Sequence, residues 1–424
     1  MALFAIRDYR RLFGAQVIAL FGTGLATVAL GLLAYDLAGS NAAAVLATAL
    51  TIKMVLYVVI APVAAAYVDR LPRRAFLVTL DVIRMAVVVA LPFVTQVWQV
   101  YVLVALLQAA SAAFTPTFQA VIPDVVTDEA DFTRALSASQ VAYTMESLLS
   151  PVLAAVALTF MSFDTLFVGT AVGFGVSALL VRAARVPNAR PTASSGALEK
   201  IVAGVRTFAR TRELRGVTAL NLVVASAGSI VVVNTVNLVR DELGGAQADV
   251  AWMLAASGLG TLTVALALPK ILDRLDSERP VMMTGAAVLV VATTIAAVVA
   301  ATGTASTPLI AVLWAAIGAG MAAIVTPTGR VIRRVVDADA IPTGFAAQFS
   351  LSHAAWLLAY PIAGWLGVSA GLETAWPILA ALAAVGAVVA VIVWPTGRPS
   401  PVRAPTQMVD SALVGAACSC CRVA

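Results

Sequence analysis

Three ionisable side chains stand inside long apolar runs: Lys53 in "ALTIKMVLYVVIAP", Glu146 in "AYTMESLLSPVLAA" and His353, the only histidine, in "FSLSHAAWLL". An amine, a carboxylate and an imidazole are groups that take up and release protons. In hydrocarbon each is costly, and an intramembrane charge is by default a functional group. The chain has 27 basic residues but only three lysines, which sets Lys53 further apart. Each of the three lies about 11 or 12 residues into its run, or ~17 Å at 1.5 Å per residue, so a common depth is expected. Plainer roles exist for all three. Lys53 can snorkel, Glu146 can be the buried partner of Lys53 or of a backbone group, and His353 can hydrogen-bond within a helix bundle.

The elements that must position them are read from composition. The chain has 424 residues, 61% hydrophobic and 12% charged. A soluble domain carries about 25% charged residues, so these values mark an all-α polytopic membrane protein. Twelve spans are predicted, at about 11–35, 42–68, 75–96, 99–121, 135–161, 165–182, 216–239, 248–270, 280–302, 307–328, 342–367 and 373–394. The net charge of +5 does not point to nucleic acid, because the basic residues sit in short loops between spans. Alternate loops hold Arg7, Arg10 and Arg11; Arg70, Arg73 and Arg74; Arg134; Lys270, Arg274 and Arg279; and Arg330, Arg333 and Arg334. The intervening loops are nearly free of base, Arg240 being the exception. The positive-inside rule then places both termini in the cytoplasm of a plasma (bacterial inner) membrane protein.

The domains follow. Residues 1–182 form a first six-helix bundle, 183–215 a cytoplasmic linker, 216–394 a second six-helix bundle and 395–424 a disordered tail. Within the linker, "IVAGVRTFARTRELRG" reads as an amphipathic helix on the membrane surface. Cys418, Cys420 and Cys421 are all in the tail. They build no disulfide framework and are at most weak metal ligands. The two halves also echo one another. "VDRLPRR" at 68–74 returns as "LDRLDSER" at 272–279, and "FTPTFQAVIPDVV" at 114–126 as "VTPTGRVIRRVV" at 325–336. Parallel six-span repeats with a substrate site between them are a transporter architecture. No G-x-x-x-x-G-K-S/T is present, so no ATP-driven motor, no cofactor and no enzymatic role are expected.

With these landmarks the sequence resembles the major facilitator superfamily. The loop between spans 2 and 3 of that family reads G-x-L-a-D-R-x-G-R-K/R. Here it is "AAYVDRLPRR", matching at Asp69, Arg70, Arg73 and Arg74, with Ala65 and Pro72 in place of the glycines. "YRRLFGAQVIALFGTGL", "DVIRM" and "GVRTFARTRELRG" resemble the enterobactin-exporter-like and macrolide-efflux branch. The exporter motif of span 5 is reduced to "ESLLSPVLAA", with Pro151 kept and small Ser150, Ala154 and Ala155 around it. The resemblance implies the twelve-helix major facilitator fold with two pseudo-symmetric halves.

It also implies a gate of Asp69, Arg70, Arg73 and Arg74, repeated at Asp273 and Arg274, and a cavity flanked by spans 2, 5, 8 and 11. Lys53, Glu146 and His353 would be its proton-coupling and substrate residues. Glu146 would carry the proton, and Lys53 would be its partner or the contact for an anionic substrate. Asp81 and Arg84, three apart on span 3, form a structural ion pair. Gln16, Gln108, Asn221, Asn234 and Asn237 are further cavity-lining candidates, and paired glycines such as Gly258, Gly260, Gly318 and Gly320 are packing positions. The expected activity is proton-coupled export of a drug-like or siderophore-like small molecule by a monomer in the lipid bilayer. The alternatives are a metal or metalloid exporter that uses the cysteine tail, an importer, and a receptor on a transporter scaffold.

Overall fold

The long apolar runs leave the backbone one economical way to satisfy its polar groups in a membrane, the α-helix. The computed structural model describes residues 3–67, 72–126, 128–186, 197–275, 277–337, 340–394 and 396, and these are helical with no strand among them. The helices are α1 (Arg7–Ala38), α2 (Ala42–Tyr67), α3 (Arg73–Ala90), α4 (Val97–Val125), α5 (Glu129–Leu158), α6 (Phe163–Ala183), α7 (Ala197–Arg210), α8 (Arg212–Asn237), α9 (Gln247–Leu272), α10 (Arg279–Thr302), α11 (Thr307–Val335), α12 (Ile341–Pro361), α13 (Gly367–Ala370) and α14 (Leu372–Val393). A π-helical turn, Ile362–Leu366, joins α12 to α13 as one span. Another, Leu238–Glu242, follows α8. Side chains set several of the ends: Asp128 caps α5 by accepting from the Asp131 N–H, and Gln96 and Gln99 form a reciprocal capping box at α4.

Ten segments of the described residues are long and apolar enough to cross a membrane, and the first, Arg7–Ile60, contains both α1 and α2. With α5, which packs against α1 and α9, the spans are twelve. Their outward faces are apolar, as with Val102 and Leu106 on α4, Val168 and Val172 on α6, and Val388 and Ile392 on α14, all exposed. Lipid is the solvent such faces require.

The internal repeat is visible in the packing. In the first half α1 contacts α6, α5 and α2, while α3 contacts α4 and α6, and α2 contacts α4. The second half repeats every one of these with α8 for α1, α9 for α2, α10 for α3, α11 for α4, α12 for α5 and α14 for α6. The halves meet through α2 on α12 and α5 on α9, again an exchanged pair. Close approach within a half relies on glycine. A Cβ on Gly260 of α9 would overlap the Ala315 backbone of α11, and one on Gly318 of α11 would overlap the Ser257 backbone of α9.

One expectation needs correction. The amphipathic helix stops at Arg210, Thr211 is extended (φ −92°, ψ 125°), and α8 already begins at Arg212. The "RELRG" segment therefore belongs to the seventh span. α7 is also seated on protein: Phe208 is buried, and Gly204 lies against Thr343 and Ala347 of α12. It packs on α12 and α8 of the second bundle and on α2 of the first, while Val202 stays exposed.

Candidate functional site

One turn of α1, Thr23 to Thr27, organises the charged groups of the first half. Gly24 has no side chain, and a Cβ there would overlap Ser150 and Glu146 of α5. The Glu146 carboxyl group and the Ser150 hydroxyl therefore lie directly on the α1 backbone. Beside them on the same turn, Thr23 and Thr27 line a narrow cleft together with Lys53 of α2, Gln108 and Ser111 of α4, and Phe174 of α6. The cleft has room for about one water molecule. The threonine hydroxyls donate to the carbonyls of Ala19 and Thr23, at 2.9 and 3.0 Å. Lys53 and Glu146 thus flank a single helical turn. They interact electrostatically, yet no direct ion pair joins them among the described residues. Two buried polar atoms around them have no hydrogen-bond partner, Gln108 Oε1 and Ser150 Oγ.

A second set of contacts runs from Lys53 across to the other half. Lys53 Nζ is 5.8 Å from the ring centre of Tyr57, one turn along α2. The Tyr57 ring stacks on His353 of α12 (5.4 Å, 7° between planes) and on Phe349 (5.8 Å, 27°). His353 Nδ1 is 2.6 Å from the Phe349 carbonyl oxygen. A carbonyl only accepts, so Nδ1 carries the hydrogen and Nε2 is left for another partner. Lys53 also acts electrostatically on His353. The structure so brings Lys53, Glu146 and His353 into one mid-helix cluster, with Lys53 between the other two. Tyr57, Phe349, Gly24 and Ser150 belong to the same cluster; Tyr57 and Phe349 were missed in the sequence, while Gly24 and Ser150 are read there only as small packing positions. Their signal was spacing: Tyr57 follows Lys53 by four residues, Phe349 precedes His353 by four, and Ser150 follows Glu146 by four.

A family model described as Major Facilitator Superfamily matches residues 12–236 and 217–416. The chain belongs to the major facilitator superfamily. It is similar to YfiS, an uncharacterised MFS-type transporter of Bacillus subtilis (strain 168), at 25% identity over 327 residues, 74% of this chain and 76% of that one. Its fold is similar to a bacterial homologue of the human lysosomal transporter Spinster, solved inward-facing and unoccupied (TM-score 0.68, 12% identity, 92% of this chain and 97% of that one). It is also similar to the nucleoside transporter NupG (TM-score 0.67, 13% identity, 91% of this chain and 100% of that one). A POT family transporter in complex with a thioalcohol-conjugated peptide is a third (TM-score 0.69, 11% identity, 91% of this chain and 95% of that one). The protein is therefore a multi-pass membrane transporter, in a family of carriers rather than enzymes, and the equivalent packing of its halves is the internal symmetry of this fold.

The other residues singled out in the sequence distribute as follows in this major facilitator protein. Asp69 and Arg70 fall outside the described residues, as do Cys418, Cys420 and Cys421. Arg73 is buried and paired with Asp124 at the end of α4, while Arg74 is exposed. In the second half Asp273 lies 3.7 Å from Arg330, Glu278 pairs with Arg334 and Arg330, and Arg274 is exposed. Asp81 and Arg84 form a buried ion pair, with the Ser177 hydroxyl donating to Asp81 at 2.8 Å. Gln108 lines the Lys53 cleft. Gln16 accepts from Ser139 of α5 at 3.0 Å, and Asn221 exchanges two hydrogen bonds with Gln348 of α12.

Asn234 and Asn237 are placed differently from the cavity expected for them. Asn234 is fully buried, donating to the Ala363 carbonyl and accepting from the Trp376 indole, so it pins the second half together. Asn237 bonds the carbonyls of Gly39 and Ser40 and the Asp241 carboxylate. Around it Tyr35 donates to Asp241, Arg240 lies over the Tyr35 ring, and the Trp365 indole donates to Thr48. These contacts close the two halves together at the end of the α1–α2 loop. At the opposite end, among the described residues, no side-chain hydrogen bond or ion pair joins the two bundles. Arg240, the exceptional base of its set of loops, is thus part of a closure.

Proposed function

We propose that this transporter couples the export of a small molecule to protons and works by alternating access, with Glu146 as the proton carrier and Lys53 as its counter-charge. The observation that carries this reading is the placement of a carboxylate and an amine, coupled but not bonded, on one turn of α1 at the junction between the two halves. A carboxylate in such a place changes its proton occupancy when water access switches from one side to the other. Tyr57 and His353 link the same cluster to α12, so a relative movement of the halves reaches Lys53 directly. The end closed by Asn237 is the outer one in this reading, by the distribution of basic loops, and both termini are cytoplasmic in the bacterial inner membrane. The loop from Asp69 to Arg74 and its counterpart at Asp273 and Arg274 act as the cytoplasmic gate, and the carrier works as a monomer.

The test is proton release from reconstituted vesicles with an acid interior, with drug-like and siderophore-like compounds added in turn. The wild type discharges the gradient with at least one compound, and Glu146→Gln, folded and inserted, does not. Equal discharge by both proteins would remove Glu146 from the mechanism.

A further inference from the structure

We propose that the substrate is an amphoteric molecule, carrying a cationic nitrogen and an anionic group on one body with an aromatic or other planar face. This rests on the proton-antiport reading and adds the chemical class to it. The site offers two opposite charges: Glu146 lies against Gly24 of α1, and Lys53 lines the cleft beside Thr23 and Thr27 of the same turn, with no ion pair between them among the described residues. A ligand with both signs satisfies each charge at once. A ligand with one sign meets a repelling charge on the other side of the same turn, and in a site of low dielectric that repulsion is large.

The direction of coupling separates the classes further. An ammonium group and a proton compete for the Glu146 carboxylate, so taking up one releases the other, which is exchange. A simple anion behaves oppositely. It binds Lys53 best when Glu146 is protonated and no longer neutralises the amine, so anion and proton travel together. Exchange with protons therefore requires a cationic nitrogen on the substrate. Lys53, in turn, excludes cations that bring no acceptor group for it.

The buried orphan atoms fit the same ligand. Gln108 Oε1 accepts only and stands in the cleft with Lys53, while Ser150 Oγ stands beside Glu146. Ser150 Oγ can accept from the nitrogen held at Glu146, and Gln108 Oε1, on the Lys53 side of the turn, from a donor carried next to the anionic group. The planar face is assigned to the stack of Tyr57, Phe349 and His353, which spans the two halves. A ring of the ligand can pack against the Tyr57 and His353 rings, whose planes differ by only 7°. The remaining charged pair near this cluster, Asp81 with Arg84, is internally neutral and turned toward Ser177, Phe114 and Phe174.

The experiment uses the purified full-length protein and a matched set of compounds at several sizes. Each size comprises an aromatic amine, an aromatic carboxylate, and the same scaffold bearing both groups. Ligand-induced thermal stabilisation in detergent reads binding without any gradient. The amphoteric member is expected to bind about tenfold or more tightly than either singly charged analogue, the effect of one charged hydrogen-bonded contact. Lys53→Met is expected to shift the preference to the amine and Glu146→Gln to the carboxylate. A wild type that prefers a singly charged member, or that binds no member at any size, overturns the proposal. Proton release in vesicles is read in parallel. Amphoteric binding without proton release overturns the antiport reading and leaves the substrate class standing. Proton release with singly charged members alone upholds antiport and overturns the class.

Discussion

Replacing Asp81 with alanine tests how this bundle holds a charge that is not part of its transport site. Asp81 is fully buried and Arg84 is 4% exposed. The guanidinium is held on one side by the carboxylate and on the others by the rings of Phe114 at 4.1 Å and Phe174 at 4.5 Å. The Ser177 hydroxyl gives the carboxylate a second bond. Removing one partner of a buried ion pair costs about 3–5 kcal/mol, and the lost Ser177 bond adds about 1 kcal/mol. The two ring contacts remain and offset up to about 2 kcal/mol. Asp81→Ala is therefore expected to destabilise the fold by roughly 2–6 kcal/mol, and Arg84→Met by a similar amount. The double variant removes the charge imbalance, so it should lie within about 2 kcal/mol of wild type. The assay is equilibrium unfolding in mixed micelles, followed by near-ultraviolet circular dichroism. Single variants within about 1 kcal/mol of wild type, or a double variant equal to the sum of the singles, would refute the reasoning.

Two further outcomes are expected. Gly318→Ala places a methyl group on the Ser257 backbone, so α9 and α11 must separate, at a cost of about 1–3 kcal/mol in the same unfolding assay; unchanged stability would show that the two helices slide freely. Asn237→Ala removes the bonds to Gly39 and Ser40 that cross between the halves, worth about 1–2 kcal/mol together. The opened population should rise about five- to thirtyfold, read as faster alkylation of a cysteine placed at Ala43 in a background without the three native ones; an unchanged rate would mean that the closure rests elsewhere.

Much of this architecture is legible in the sequence because the bilayer simplifies the problem. Span count and the mid-helix positions of Lys53, Glu146 and His353 follow from run lengths, and the repeat from recurring segments such as "VDRLPRR" and "LDRLDSER". Rotation about each helix axis does not follow, because an apolar residue serves equally well toward lipid or toward another helix. That is why Asn234 and Asn237, three residues apart, looked alike in the sequence yet hold one bundle together and tie the two bundles to each other. It is also why the spacing of Tyr57, four residues after Lys53, places it on the same face as the amine but does not show that the ring stacks on α12. The break at Thr211 was hidden for another reason. The amphipathic period runs on through "FARTRELRG", whereas α7 ends at Arg210 with Phe208 buried and Thr211 extended.

The ion pairs that tie α3 to α4 and α10 to α11 have opposite polarity, and the difference reaches beyond the pairs. In the second half the acid, Glu278, stands at the start of α10, and the bases Arg333 and Arg334 stand in the last turn of α11. Each charge there complements the partial charge of its helix end. In the first half the base, Arg73, begins α3, and the acid, Asp124, closes α4. Both oppose their helix ends, at about 0.3–1 kcal/mol apiece. The two halves are thus alike in shape and unlike in local strength. The start of α3 and the end of α4 should fray before the start of α10 and the end of α11, and their backbone amides should exchange with solvent deuterium several times faster. A carrier built from two halves with the same helix packing would then have a soft member and a stiff one, and its cycle of movements would not be shared equally between them.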